Sequence, residues 1–185
     1  NLGIILRDIG QINEAEISTR KAIEIKPDYA DAHFNLGNIL SDLGQLKEAE
    51  LSYRKAIEIK PDFTDAHSNL GNVFKDLGKS QDAELSYRKA IEIKPDFADA
   101  YLNLGIIFQN LGDLEKSEIF TRKAIEIEPD YAEANYNLGV ILKDIGKSQE
   151  AELSYRKAIE IKPDWEKYFS YAGCLFERKA FEVVT

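Results

Sequence analysis

The sequence predicts an all-α fold, a solenoid of antiparallel helix pairs, on three observations. All five prolines, Pro27, Pro61, Pro95, Pro129 and Pro163, stand 34 residues apart. The 11 glycines fall into two series with the same step: Gly3, Gly37, Gly71, Gly105, Gly139 and Gly173, and Gly10, Gly44, Gly78, Gly112 and Gly146. The string AELSYRKAIEIKPD occurs verbatim at 49–62, 83–96 and 151–164. A period of this length marks an array of small units rather than one compact core. Each unit is too small to bury its apolar face alone and does so by stacking on its neighbours.

Framed on the prolines, full repeats run 30–63, 64–97, 98–131 and 132–165. With a partial repeat, 1–29, they form an array over 1–165. Residues 166–185 read as a degenerate or capping repeat that loses the helix-ending glycine and, following Trp165, is rich in aromatics at Tyr168, Phe169, Phe176 and Phe181.

Repeat 30–63 shows how each element arises. Asp28 is expected to cap the first helix, with Asp31 as an acidic partner in the first turn; Asp62 with Asp65, Asp96 with Asp99 and Asp130 with Glu133 repeat the arrangement. Ala32, Leu36, Ile39, Leu40 and Leu43 then follow at helical spacing. Gly44 ends the helix, because glycine tolerates the left-handed conformation there. The second helix starts near Leu46 and carries Ala49, Tyr53, Ala56, Ile57 and Ile59 on one face until Pro61 stops it. Gly37 sits mid-helix, where it costs about 1 kcal/mol relative to Ala. Together with Ala49 and Ala56 it predicts a close approach of the two helices.

Composition narrows the function. The formal net charge is −9, from 33 acids and 24 bases. Such a surface repels phosphate backbones and anionic lipid, which argues against nucleic acid and membrane partners. No apolar run approaches the ~18 residues of a membrane span. The single cysteine, Cys174, leaves no disulfide framework or Cys-based zinc site. His33 and His67 share one slot of successive repeats and read as packing residues rather than ligands. Every glycine is repeat punctuation, so none remains for a phosphate loop, and no catalytic constellation is expected. Neither a metal nor a cofactor is implied.

The 34-residue period with Leu36-Gly37, Leu40, Ala49, Tyr53, Ala56 and Pro61 resembles the tetratricopeptide repeat (TPR) family. The Asn-Leu-Gly run of the first helix is most similar to the TPR arm of O-linked N-acetylglucosamine transferases and to similar bacterial arrays. The large residue usual before Leu-Gly is present as His33, His67 and Tyr101 but is Asn135 in the fourth full repeat. The resemblance implies a right-handed superhelical solenoid whose first helices line a concave groove for peptides or protein segments.

Read residue by residue, that groove holds a row of amides, Asn1, Asn35, Asn69, Asn103 and Asn137, ending at Tyr171. An amide both donates and accepts, so such a row suits the backbone of an extended peptide, a use the resemblance also implies. Bonding between neighbouring repeats is the alternative. A second row, Asp8, Asp42, Asp76, Asn110 and Asp144, and the helix-start acids are expected to make the groove acidic, favouring a basic or amide-rich segment. The variable middle slots are Phe34 with Asn38, Ser68 with Asn72, Leu102 with Ile106, and Tyr136 with Val140. Leu102, Ile106, Tyr136 and Val140 are expected to form an exposed apolar patch that anchors a partner's side chain. The carboxylate clamp of some family members, which the resemblance places at the slots of Phe34, Asp99 and Asn103, lacks its basic residues here.

Three functions remain open: an interaction scaffold binding a peptide or protein segment, the recognition arm of a larger glycosyltransferase-like enzyme, and a structural repeat that self-associates through open ends. Asn1 already falls in the amide slot, so the chain is expected to be part of something longer.

Overall fold

The computed structural model describes residues 2–163. These form ten helices: α1 (Leu2–Asp8), α2 (Ile12–Ile25), α3 (Ala30–Asp42), α4 (Leu46–Ile59), α5 (Thr64–Asp76), α6 (Ser80–Ile93), α7 (Ala98–Asn110), α8 (Leu114–Ile127), α9 (Ala132–Asp144) and α10 (Ser148–Ile161). There is no strand among the described residues. The expectations for Asn1, Tyr171, Cys174 and the repeat at 166–185 lie outside them.

Each odd helix packs against the following even helix, and each even helix against the next odd one. Contacts that skip a helix are strongest between odd helices, α1 with α3, α3 with α5 and α7 with α9. The odd helices therefore crowd along the inner side of the superhelical solenoid, and the even helices form its outer side. Alternate large and small side chains fill the layers. Leu36, Leu40, Ala49, Tyr53, Leu70, Phe74, Ala83, Tyr87, Leu104 and Phe108 form a core that continues across the repeat boundaries.

Two kinds of turn join the helices. At the end of α3, Gly44 has φ +72°. Its N–H donates to the Ser41 carbonyl at 2.9 Å, and the Gln45 N–H donates to the Leu40 carbonyl at 2.8 Å. These two bonds are the Schellman pair, which satisfies carbonyls the helix leaves open. Between pairs, the Phe63 N–H closes a turn onto the Lys60 carbonyl at 3.1 Å, with Pro61 in the position that its fixed φ suits.

That turn corrects one expectation. The residue flanking α3 is Tyr29 rather than Asp28, and Phe63, Phe97 and Tyr131 take the same place before α5, α7 and α9, all without a side-chain cap. Asp28, Asp62, Asp96 and Asp130 are held one residue further back, in the Lys/Glu-Pro-Asp-aromatic turn. A side-chain cap does occur at α8, where Asp113 accepts from the Lys116 N–H at 3.1 Å.

The close approach at Gly37 is to an aromatic ring. A Cβ there would lie 2.6 Å from Tyr53 Cε1, and at Gly71 and Gly139 it would meet Tyr87 and Tyr155 at 2.7 and 2.5 Å. The Tyr53 and Tyr87 rings are fully buried, and burial raises both hydroxyl pKa values above the ordinary tyrosine range. In repeat 98–131 the tyrosine slot holds Thr121, whose Oγ1 is buried with no hydrogen-bond partner among the described residues.

The residue before Leu-Gly serves the turn. His33 Nε2 lies 2.9 Å from the Pro27 carbonyl and His67 Nε2 2.9 Å from the Pro61 carbonyl, so each Nε2 carries the proton. Asn135, the apparent departure from the pattern, donates from Nδ2 to the Pro129 carbonyl at 3.4 Å. In this slot histidine and asparagine both supply a donor that reaches back to the turn.

On the outer side, Glu50 accepts from Arg54 within its helix at 3.0 Å and from Lys79 of the next pair at 3.1 Å. Glu118 does the same with Arg122 at 2.8 Å and Lys147 at 3.3 Å. Partial burial opposes ionisation of both carboxyls, but these cationic donors outweigh it and hold both below the usual glutamate value.

Candidate functional site

Residues 35, 38 and 42 lie three and four apart on α3, so they form one stripe along the helix. The equivalent stripes are Asn69, Asn72 and Asp76 on α5, Asn103, Ile106 and Asn110 on α7, and Asn137, Val140 and Asp144 on α9. Crowding of the odd helices sets these stripes side by side.

The amide row is not uniform. Asn69 Nδ2 donates to Asn38 Oδ1 of the preceding repeat at 2.8 Å. Asn103 accepts from Lys75 of the preceding repeat at 3.0 Å and donates to the Asp99 carbonyl at 3.0 Å. These two amides link repeats or brace their own helix. Asn35 and Asn137 are half-buried and make no side-chain hydrogen bond among the described residues. The inter-repeat bonding set out from the sequence thus holds at Asn69 and Asn103.

Asn38 and Asn72 are tied to the tyrosines beneath them. Tyr53 donates to Asn38 Oδ1 at 2.7 Å, and Tyr87 donates to Asn72 Oδ1 at 2.7 Å. The two amide carbonyls are fixed by these bonds. Around them lies a polar pocket of about 150 Å³, lined by Arg7, Asn38, Ser41, Asp42, Tyr53, Asn69 and Asn72. It brings together four of the residues expected from the sequence.

Sequence reasoning missed its other walls. Arg7 forms an ion pair with Asp42 across the first repeat boundary, and this hydrogen bond raises the guanidinium pKa further, against a smaller opposing effect of burial. The slot one residue before the aspartate row reads Arg7, Ser41, Lys75, Gln109 and Lys143. That alternation was visible in the sequence. The inner face is therefore not an unbroken acidic track, because basic side chains are interleaved with Asp42, Asp76 and Asp144.

The apolar patch is corrected at one position. Leu102 is 2% exposed and packs with Ala124 and Ala134 between successive pairs. The Leu102 slot faces the next repeat, where Ala134 leaves room for it. Ile106, Tyr136 and Val140 are half-buried and packed against the core, with the Tyr136 ring tilted on Tyr155 at 5.7 Å.

Comparison with known proteins places this architecture. A model described as "TPR repeat" matches residues 3–43, 37–78 and 71–112, and one described as "Tetratricopeptide repeat" matches 96–164. No curated protein sequence matches the chain. Among solved structures, MamA superposes with a TM-score of 0.79 at 25% identity, over 91% of this chain and 98% of that one. YrrB, described as a TPR protein with an unusual peptide-binding site, gives 0.69 at 26% identity, over 89% and 84%. A thermophilic TPR protein of Thermus thermophilus gives 0.73 at 22% identity, over 92% and 94%, and supports the fold alone. The tyrosine wedged on the inner-helix glycine, the proline turn and the period are thus found in a chain that belongs to the tetratricopeptide repeat family.

Proposed function

We propose that the inner face binds an extended segment of a partner protein through amide contacts. TPR folds commonly serve as protein-interaction scaffolds and are generally non-catalytic. The observation that carries the reading is the polar pocket on α3 and α5. Its amide groups are oriented by Tyr53 and Tyr87, and its one ion pair, Arg7 with Asp42, is already matched. A site with fixed amides and a neutralised ion pair suits a backbone amide or an Asn or Gln side chain better than a bare cation. Asn35 and Asn137, with amides not engaged in the fold, extend the contact along the groove. Half-buried Tyr136 and Val140 offer the apolar anchor. The peptide-binding site attributed to the similar YrrB supports this assignment.

The test is calorimetry with a peptide selected from a random library on the full chain. Replacing both Asn35 and Asn137 by Ala is expected to weaken binding about tenfold, two hydrogen bonds at roughly 0.5–1.5 kcal/mol each. Equal affinity of the double variant would overturn the reading.

A further inference from the structure

The outer side carries a cleft of about 420 Å³ where α4 and α6 part over α5. Its floor is His67, Leu70 and Phe74, which lie on the face of α5 opposite Asn69 and Asn72. The cleft is therefore separate from the polar pocket.

The neighbouring repeat shows what fits such a space. One repeat on, the slot of Ser86 is Phe120, and that ring occupies the corresponding position over α7. It stacks on Phe108 at 5.4 Å with an interplanar angle of 8°, lies 6.4 Å from the Tyr101 ring, and has the Arg88 guanidinium 5.5 Å from its centroid. The counterparts of those three groups are Phe74, His67 and Arg54, and all three line the cleft. Arg54 and Lys79 stand 5.4 and 5.3 Å from the Phe74 ring, which is 3% exposed, so a ring that stacks there displaces one of these cations. The cleft has the walls of a phenyl site, and Ser86 supplies no ring to fill it.

Its rim carries a charge preference. Arg54 and Lys79 share Glu50, Glu58 is paired with Lys55 and Lys89 with Glu92. Asp82 is in no ion pair among the described residues. One free carboxylate beside an aromatic-lined cleft complements a cation next to a ring. We propose that this cleft is a second docking site, which takes the phenyl side chain of a partner protein segment bearing a basic residue beside it. Exposed Leu85 at its edge adds apolar contact.

The experiment titrates the isotope-labelled full chain with acetyl-Phe-Arg-amide, acetyl-Leu-Arg-amide and acetyl-Phe-Gln-amide, following backbone amide shifts by NMR. The expected result is saturable shifts at His67, Leu70, Phe74 and Leu85. The first peptide should bind about threefold or more tighter than either of the others, from stacking and from Asp82. Ser86→Phe, which copies the arrangement at Phe120, should abolish these shifts and leave the affinity of an inner-face peptide unchanged. Phe74→Leu, which places there the residue found at Leu40 and Leu142, should weaken binding about threefold and keeps the test open if Ser86→Phe does not fold. No saturable shift at the cleft, shifts that survive Ser86→Phe, or equal binding of all three peptides would each overturn the proposal.

Discussion

Asn38 Oδ1 accepts two hydrogen bonds, from the buried Tyr53 hydroxyl at 2.7 Å and from Asn69 of the next repeat at 2.8 Å. One oxygen thus joins the core of a repeat to the inner surface of its neighbour. In four of the five pairs the chain varies these slots in concert. Tyr53 and Tyr87 stand with Asn38 and Asn72, whereas Thr19 and Thr121 stand with Ile4 and Ile106; Tyr155 with Val140 departs from the rule. A buried phenol needs an acceptor, and where the phenol is lost the amide gives way to an aliphatic. Asn38→Ile should therefore destabilise the fold by about 1–3 kcal/mol, the cost of leaving a buried hydroxyl unpaired. In a urea-denaturation double-mutant cycle, Tyr53→Phe should remove much of that cost. Additive losses would contradict the coupling.

Gly37→Ala should also destabilise, although alanine is the better helix former. The gain of about 1 kcal/mol in propensity opposes an overpacking cost of about 1–3 kcal/mol. The added methyl would sit 2.6 Å from a buried ring whose hydroxyl is held by Asn38. A fall in the urea midpoint is the expected readout.

Leu102→Asp reports on burial rather than on binding. The side chain lies between pairs with Ala124 and Ala134, so a carboxylate there should cost several kcal/mol, about what removing a core leucine costs. Loss of thermal stability should precede any change in peptide affinity, whereas Tyr136→Ala, at a half-buried position, should alter affinity more than stability.

Thr121→Val should stabilise the protein. The threonine Oγ1 is buried without a partner among the described residues, and an isosteric methyl removes about 1 kcal/mol of unmet desolvation. A raised midpoint in urea is expected; a lowered one would mean that the hydroxyl is satisfied in solution.

Acid should loosen the outer side first. Glu50 and Glu118 have folded pKa values below the ordinary 4.5. Their contribution is complete above that value and is lost as the pH falls through the lower folded values. Lys79→Met with Lys147→Met removes the cross-repeat partners and should flatten the stability profile below about pH 4.5. An unchanged profile would show that the intrahelical arginines alone set it.

Most of the fold was legible because its determinants are local and repeated. Pro61, Gly44 and the apolar spacing of α3 and α4 each act within a few residues of where they stand. The cap at Asp28 was misassigned because the choice between capping a helix and serving a turn depends on the fit of Pro61 or Pro27 in that turn, which spacing does not reveal. The site was less legible. Arg7 reaches Asp42, and Lys75 reaches Asn103, across repeat boundaries, where reach and side-chain direction decide the partner. Leu102 looked exposed because its helical position suggested the groove, while its burial depends on Ala134 in the next repeat.

The verbatim string at 49–62, 83–96 and 151–164 has a kinetic consequence. Helices α4, α6 and α10 present nearly the same surface, so a folding chain gains little by choosing the correct one. Only divergent inner-helix residues, such as Phe74 and Asn135, distinguish a native pairing from one slipped by a whole repeat. Slipped pairings are therefore shallow competitors that must unpair before the array closes, and refolding should include a slow phase that becomes faster as the copies are made different.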